Sequence, residues 1–272
     1  MVEKDTIQSI VLFELSKSGI PFVFKGGTSL SKCYGLIDRF SEDLDLSMSI
    51  RPTEAEKKKI KAVIIDSADR IGLRLINPDA VLSRHSYNKY VFEYESLFSK
   101  EPLEIIIETS FFLTVYPVQL HEVRSFVGSF CKEYHTKNPV SFDAATLIMQ
   151  VQSLERTFID KVFAVCDYRI QDMQDRDSRH LYDIAKLLQR VKLDADTKTL
   201  IKQVREDRIK LKENLSARPE YNIKKILEEI IGSRFYEADY NNVTRKLLYE
   251  DMSYDEAIAS GIGKVVDTDL FD

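Results

Sequence analysis

The chain has 272 residues, is 44% hydrophobic and 31% charged, and carries a formal net charge of −5. A chain of that length tends to split around more than one core, so two lobes, or one lobe with a helical extension, are expected. The acidic balance excludes a uniformly basic nucleic-acid-binding surface but not a local basic patch, and no apolar run approaches the roughly 18 residues that span a bilayer. Cys33, Cys131 and Cys166 are far apart and form no CxxC pair. They fit neither a disulfide framework nor a zinc site, and suit a reducing compartment. The start, Met1-Val2-Glu3-Lys4-Asp5, is charged and does not read as a secretory signal. A cytoplasmic protein with no membrane association is expected.

In chain order, residues 4–18 predict an amphipathic helix with Ile7, Ile10, Val11 and Leu15 on its apolar side, closed by Gly19. Pro21–Phe24 is a short apolar strand. Lys25-Gly26-Gly27-Thr28-Ser29 follows, then a short helix to Tyr34 and Gly35. The segment 43–48 alternates strictly, so Asp43, Asp45 and Ser47 share one face and Leu44, Leu46 and Met48 the other. Thr53 with Glu56 forms a capping box for a helix over 54–71. Tyr90–Tyr94 and Leu103–Phe111 read as strands, with Glu104, Ile106 and Glu108 on one face of the second. From about residue 150 helical patterns dominate, over 153–168, 177–191, 195–214, 221–231 and 240–259. Thr136–Phe142, with Asn138-Pro139, is the best linker candidate. The predicted division is a mixed α/β lobe over 1–145 and a helical lobe over 146–272.

The chemistry concentrates between residues 24 and 47. A triphosphate needs backbone N–H donors close to its oxygens, and glycine alone lets the chain approach that closely. Thr28 and Ser29 add hydroxyls. Magnesium needs hard oxygen ligands, and aspartates at i and i+2 on a strand point to the same side. Taken singly, Gly26-Gly27 also fits a plain turn and Asp43-Leu44-Asp45 a solvated strand face. Their order, a strand, then glycines, a short helix and the paired aspartates, favours a metal-bearing strand beside a phosphate-binding loop.

Phe24-Lys25-Gly26-Gly27-Thr28-Ser29-Leu30, followed by Arg39-Phe40-Ser41-Glu42-Asp43-Leu44-Asp45-Leu46, resembles the signature of the AbiEii/MenT group. These are nucleotidyltransferase-like proteins of the DNA polymerase β superfamily, found as toxins of type IV toxin–antitoxin and abortive-infection systems. Leu154-Glu155-Arg156-Thr157-Phe158-Ile159-Asp160-Lys161 resembles the helix carrying the family's essential lysine, and Arg176–Asp183 its Arg-x-x-x-Asp helix. The three blocks span roughly residues 24–184. Beyond them the match is in helical patterning alone.

The resemblance implies an α+β fold: a polymerase β-like N-terminal lobe with a mixed sheet, then a mostly helical lobe contributing to the active-site cleft. It implies Mg2+ or Mn2+ on Asp43 and Asp45, with Lys161 neutralising phosphate charge and Asp183 near the reacting groups as a base or organiser. Lys25, Gly26, Gly27, Thr28, Ser29, Arg39, Ser41 and Arg179 are expected at the nucleotide, and Glu108 is a candidate third metal ligand. Without the resemblance, Lys161 reads as a solvent-facing lysine, Arg179 with Asp183 as a helix ion pair, and Glu108 as an exposed strand residue. His180 reads as packing or capping, His85, His121 and His135 form no site, and Cys166 belongs to the core.

The expected reaction is transfer of a nucleotide from an NTP to an acceptor. The resemblance points to RNA, particularly the tRNA acceptor end, and to a possible cognate antitoxin. Lys57, Lys58, Lys59 and Lys61, and Lys202, Arg205, Arg208, Lys210 and Lys212, would supply a local basic patch, or else are solvated helix faces. The competing readings are modification of a small molecule or protein hydroxyl, and binding of nucleotide or partner without turnover.

Overall fold

The computed structural model describes residues 1–137 and 147–272. The chain divides into two units, Met1–Gly35 with Ser41–Gln152, and Leu36–Phe40 with Ser153–Asp272. The first unit comprises α1 (Val2–Ser16), β1 (Val23–Lys25), α2 (Gly26–Lys32), β2 (Asp43–Ser47), α3 (Glu54–Asp69), β3 (Arg74–Leu75), β4 (Tyr87–Tyr94), β5 (Leu103–Ser110), β6 (Val118–Glu122), α4 (Phe126–Glu133) and β7 (Ile148–Gln152). Its strands form one sheet in the order β3-β4-β5-β2-β1-β7-β6. The sheet is mixed: β1 runs parallel to β7 and β2 to β5, and the β1–β2, β4–β5, β3–β4 and β6–β7 pairs are antiparallel.

One face of the sheet is buried by Phe24, Leu44, Leu46, Tyr90, Phe92, Ile105 and Ile107, which pack with Val11, Leu12 and Leu15 of α1 and Ile60 and Ile64 of α3. The capping box predicted at Thr53 and Glu56 is present and opens α3. Where α1 leaves the apolar core, its buried face turns polar. Asp5, Gln8 and Ser9 are buried there, and Ile7 and Ile10, expected in the core, are half-buried. The cause is Lys32 at the end of α2. Its ammonium is buried, pairs with the Asp5 carboxylate, and donates to the Asp5 carbonyl (2.9 Å) and the Ser9 hydroxyl (2.8 Å). The other Asp5 carboxylate oxygen accepts from Phe126 N at 2.7 Å, at the start of α4. One aspartate thus joins α1, α2 and α4.

The second unit is helical, as expected: α5 (Leu154–Ile170), α6 (Arg179–Leu187), α7 (Ala195–Arg208), α8 (Ile223–Ser233), α9 (Glu237–Asp239), α10 (Arg245–Leu247), α11 (Tyr254–Ser260) and α12 (Ile262–Val266). A π-helical turn over Tyr240–Thr244 joins α9 to α10. The single helix expected over 240–259 is therefore broken, and Leu248 leaves the helix in extended conformation to bridge with Arg39. Helix α7 stops at Arg208 rather than at 214, because Arg208 turns back to bind Asp167 and Asn214.

The division expected at 145/146 shifts. Ile148–Gln152 forms a strand that pairs with β1, and residues 36–40 group with the helical unit. Strands β3, β6 and β7 and helix α4 were not legible in the pattern. β7 exposes Ile148 and buries Gln152, so its alternation is blurred. Within the linker candidate 136–142, residues 138–142 lie outside the described residues. All three cysteines are free, and among the described residues no helix is long and apolar enough to cross a membrane.

Removing the Asp5 carboxylate would leave a buried ammonium unpaired, which typically costs about 3–5 kcal/mol. Asp5→Ala is expected to lower the urea midpoint accordingly, and Asp5→Ala/Lys32→Met to recover most of the loss. Equal destabilisation of the single and double variants would contradict this account.

Candidate active site

In the first unit the site is assembled by strand register. Lys25 on β1 stands opposite Asp45 on β2, Asp45 beside Glu108 on β5, and Glu108 opposite Lys89 on β4. Cross-strand partners project to the same side of a sheet. Four charged residues therefore form one row across four strands, in the order plus, minus, minus, plus. They lie on the face opposite the buried Leu44, Leu46 and Ile107. Asp43 is two residues along β2 on the same face, beside Ile106. Asp43, Asp45 and Glu108 are half-buried, whereas Ser47 is fully interior and donates to the Ser110 carbonyl.

The glycine-rich turn fits against this row. Gly26 has φ +76°, and a Cβ there would meet Asp45 Oδ2 at 1.9 Å. Any side chain at this position would have to displace the Asp45 carboxylate, and the backbone conformation itself favours glycine. Gly27 is half-buried, but Thr28 and Ser29 are buried. Their hydroxyls were expected at the triphosphate and are used internally. Thr28 Oγ1 donates to the Asp43 carbonyl (2.6 Å) and lies 2.9 Å from Ser41 Oγ, and Ser29 Oγ donates to the Gly26 carbonyl (2.8 Å). Gln8 Nε2 donates to the Glu42 carbonyl at 2.8 Å. These bonds hold the start of β2 against α2, so Thr28 and Ser41 position Asp43 through its backbone.

The hard oxygens of Asp43 and Asp45, two residues apart on one face of β2, suit a divalent cation. Glu108 is in register for a third ligand, but its carboxylate is 3.7 Å from Lys89 Nζ. Accordingly, no group of three or more His, Cys, Asp or Glu side chains among the described residues is already drawn together to hold a metal. Tyr87, diagonal to Glu108 across β4–β5, is pushed well above the usual phenol pKa, first by burial and then by Glu108, Asp45 and Asp43. It stays protonated and remains a donor.

The second unit holds a buried charge cluster. Asp183 on α6 is completely buried and grips Arg39 with both carboxylate oxygens, at 2.7 Å to Nε and 2.7 Å to Nη2. Lys161 Nζ on α5 is 2.7 Å from Asp183 Oδ2 and 3.3 Å from His180 Nδ1. Burial would raise the Asp183 pKa, but Arg39 and Lys161 outweigh it and hold the carboxyl far below the usual range. Burial, and then the Lys161 ammonium, push His180 down to about 3, so its imidazole is neutral at pH 7. Arg39 Nη1 donates to the Phe40 carbonyl at 3.0 Å.

These contacts bear on three expectations. Arg39, expected at the nucleotide, spends its guanidinium on Asp183 and a carbonyl. Asp183 pairs with two cations, and a carboxylate so stabilised as an anion is a poor proton acceptor. Arg179 does not pair with Asp183; it forms a 2.9 Å ion pair with Asp177 and remains partly exposed. His180, read from sequence as packing or capping, touches Lys161; no pattern in the sequence singled out that contact.

The basic clusters also thin out. Lys57 is buried against Glu54 and Ser86, Lys61 donates to the Val81 carbonyl, and Arg208 is buried on Asp167. Lys58, Lys59, Lys202, Lys210 and Lys212 are exposed.

The model of the nucleotidyl transferase AbiEii toxin family, from type IV toxin–antitoxin systems, matches residues 10–260. The chain belongs to this family. It is a nucleotidyltransferase. A solved structure described as a candidate nucleotidyltransferase from H. pylori aligns with TM-score 0.55 and 17% identity, covering 97% of this chain and 92% of that one. It shows the same fold. JHP933 from Helicobacter pylori aligns with TM-score 0.42 and 16% identity, over 89% of this chain and 94% of that one. No curated protein matches.

Two outcomes follow from this AbiEii-family site. Gly26→Ala is expected to fold but to lose about 100-fold in nucleotidyl transfer, since displacing a reacting group by about 1 Å costs that much; activity within threefold of the parent would refute the close-approach argument. For His180 the folded pKa lies below the unfolded value, so the unfolded chain binds the extra proton and stability falls as pH drops below about 6.5. Denaturation of His180→Asn at pH 7 and pH 5 is expected to show a smaller loss than the parent, and an equal loss would remove His180 from the acid response.

Proposed function

We propose that the enzyme transfers a nucleotide from an NTP to RNA, at the tRNA acceptor end, with a divalent cation, Mg2+ or Mn2+, on Asp43 and Asp45. The observation that carries this reading is the pairing of Asp45 with a glycine whose missing side chain makes room for its carboxylate. When bound, such a cation offsets triphosphate charge and activates the attacking oxygen. The chain's own groups bind and orient. Lys25, beside Asp45 in the charged row, supplies positive charge for the phosphates. The backbone of Gly26 and Gly27 offers close approach, and Thr28, Ser29 and Ser41 hold the turn and strand in place.

Lys161 neutralises phosphate charge, with Asp183 and His180 orienting its ammonium and Arg39 locking Asp183. Arg179 on α6 is partly exposed and is the better candidate for a direct nucleotide contact than Arg39. The RNA acceptor rests on the resemblance of the motifs and on the exposed Lys58, Lys59, Lys202, Lys210 and Lys212. The family description, a toxin of a type IV toxin–antitoxin system, supports a cognate antitoxin.

The test is NTP-dependent label transfer to total RNA, with thermal melts in parallel. Asp43→Asn and Asp45→Asn are expected to abolish transfer, a barrier increase of several kcal/mol, while melting at or slightly above the parent temperature because carboxylate repulsion is relieved. Full transfer by both variants would sink the metal-site reading. Label appearing on small molecules or protein instead of RNA would redirect the acceptor.

A further inference from the structure

The role of β4 follows from the charged row. Lys89 and Tyr87 belong to none of the motifs that resemble the family, yet both project from β4 onto the face that carries Asp43, Asp45 and Glu108. Lys89 is the direct cross-strand partner of Glu108, with Nζ at 3.7 Å from Oε1. Tyr87 lies diagonal to Glu108 on the same face, and burial, then the Glu108 charge, raise its phenol pKa. On its other side Glu108 faces Asp45, in register on β2. Two carboxylates side by side on adjacent strands repel each other. The ammonium on β4 offsets that repulsion on the Glu108 side.

We propose that Lys89 and Tyr87 are positioning residues that hold Glu108 away from the cation site until a divalent cation competes for it. The inference rests on the reading of Asp43 and Asp45 as cation ligands. Glu108 has two alternative partners for its charge: the Lys89 ammonium with the Tyr87 hydroxyl, or a cation also held by Asp45. A cation that takes Glu108 competes with Lys89 for its charge. Lys89 therefore sets the apparent cation affinity without touching the cation or the nucleotide. Its side chain is 46% exposed, which makes the exchange inexpensive and a substitution there well tolerated.

The experiment measures Mn2+ binding to the full chain by electron paramagnetic resonance of free Mn2+, with a thermal melt of every variant. Lys89→Met is expected to tighten Mn2+ binding by about two- to five-fold, the range set by a partly exposed ion pair. Lys89→Arg is expected to bind like the parent, and Tyr87→Phe to tighten in the same direction by less. In a Glu108→Gln background the Lys89→Met gain is expected to vanish. If Asp45→Asn weakens Mn2+ binding but Lys89→Met does not tighten it, the role of β4 is refuted and the aspartate site stands. If Lys89→Met tightens binding equally with and without Glu108, Lys89 acts only through its general charge and the positioning role is refuted. If Asp45→Asn leaves Mn2+ binding unchanged, the aspartate site falls, and this inference with it.

Discussion

The registered pairing of Asp45 between Lys25 and Glu108 is the constraint on which the first unit's site depends. A one-residue slip of β2 against either neighbour would turn Asp43 and Asp45 into the core and Leu44 and Leu46 to solvent. The buried face of Leu44 and Leu46, both fully inaccessible, forbids that slip. The apolar half of the strand thus fixes where the charged half points. Gly26 completes the constraint by leaving the Asp45 carboxylate room that no other residue would leave.

The helical unit solves a different problem. A carboxylate with no solvent contact is tolerated only where cations and hydrogen bonds replace its hydration. Asp183 obtains both from Arg39 and Lys161. The arrangement holds the Lys161 ammonium between a carboxylate and a neutral imidazole, so a long, flexible side chain is fixed in one direction. Arg39 reaches this cluster from residues 36–40, which precede β2 in the chain but group with the helical unit. That short segment explains why a signature written continuously in sequence, from Arg39 to Leu46, serves two structural ends.

Charged side chains divide between structure and chemistry according to burial. Lys32, Lys57 and Arg208 are each buried and paired, and read from sequence they are indistinguishable from the exposed Lys58 and Lys202 beside them. The same applies to hydroxyls: Thr28 and Ser29, expected as phosphate donors, bond the carbonyls of Asp43 and Gly26 and hold the turn. Conversely, Tyr87 and Lys89 lie in an ordinary alternating strand, and only their register against β5 gives them a role.

The sequence by itself determined the alternation of 43–48, the glycine turn before it, the capping box at Thr53 and the change from strands to helices near residue 150. Each is local: period-2 and helical burial patterns, turn residues and caps act within a few neighbours. The family motifs were legible for the same reason, being short runs of fixed spacing. Tertiary structure alone decided that residues 25, 45, 108 and 89 share one row, that Arg39 is locked by Asp183, that His180 meets Lys161, and that Asp5 and Lys32 draw the polar side of α1 inward. Those outcomes depend on strand order, on register and on which cation reaches a buried carboxylate. Such pairings join residues up to 144 positions apart, and no local pattern encodes a partner at that distance.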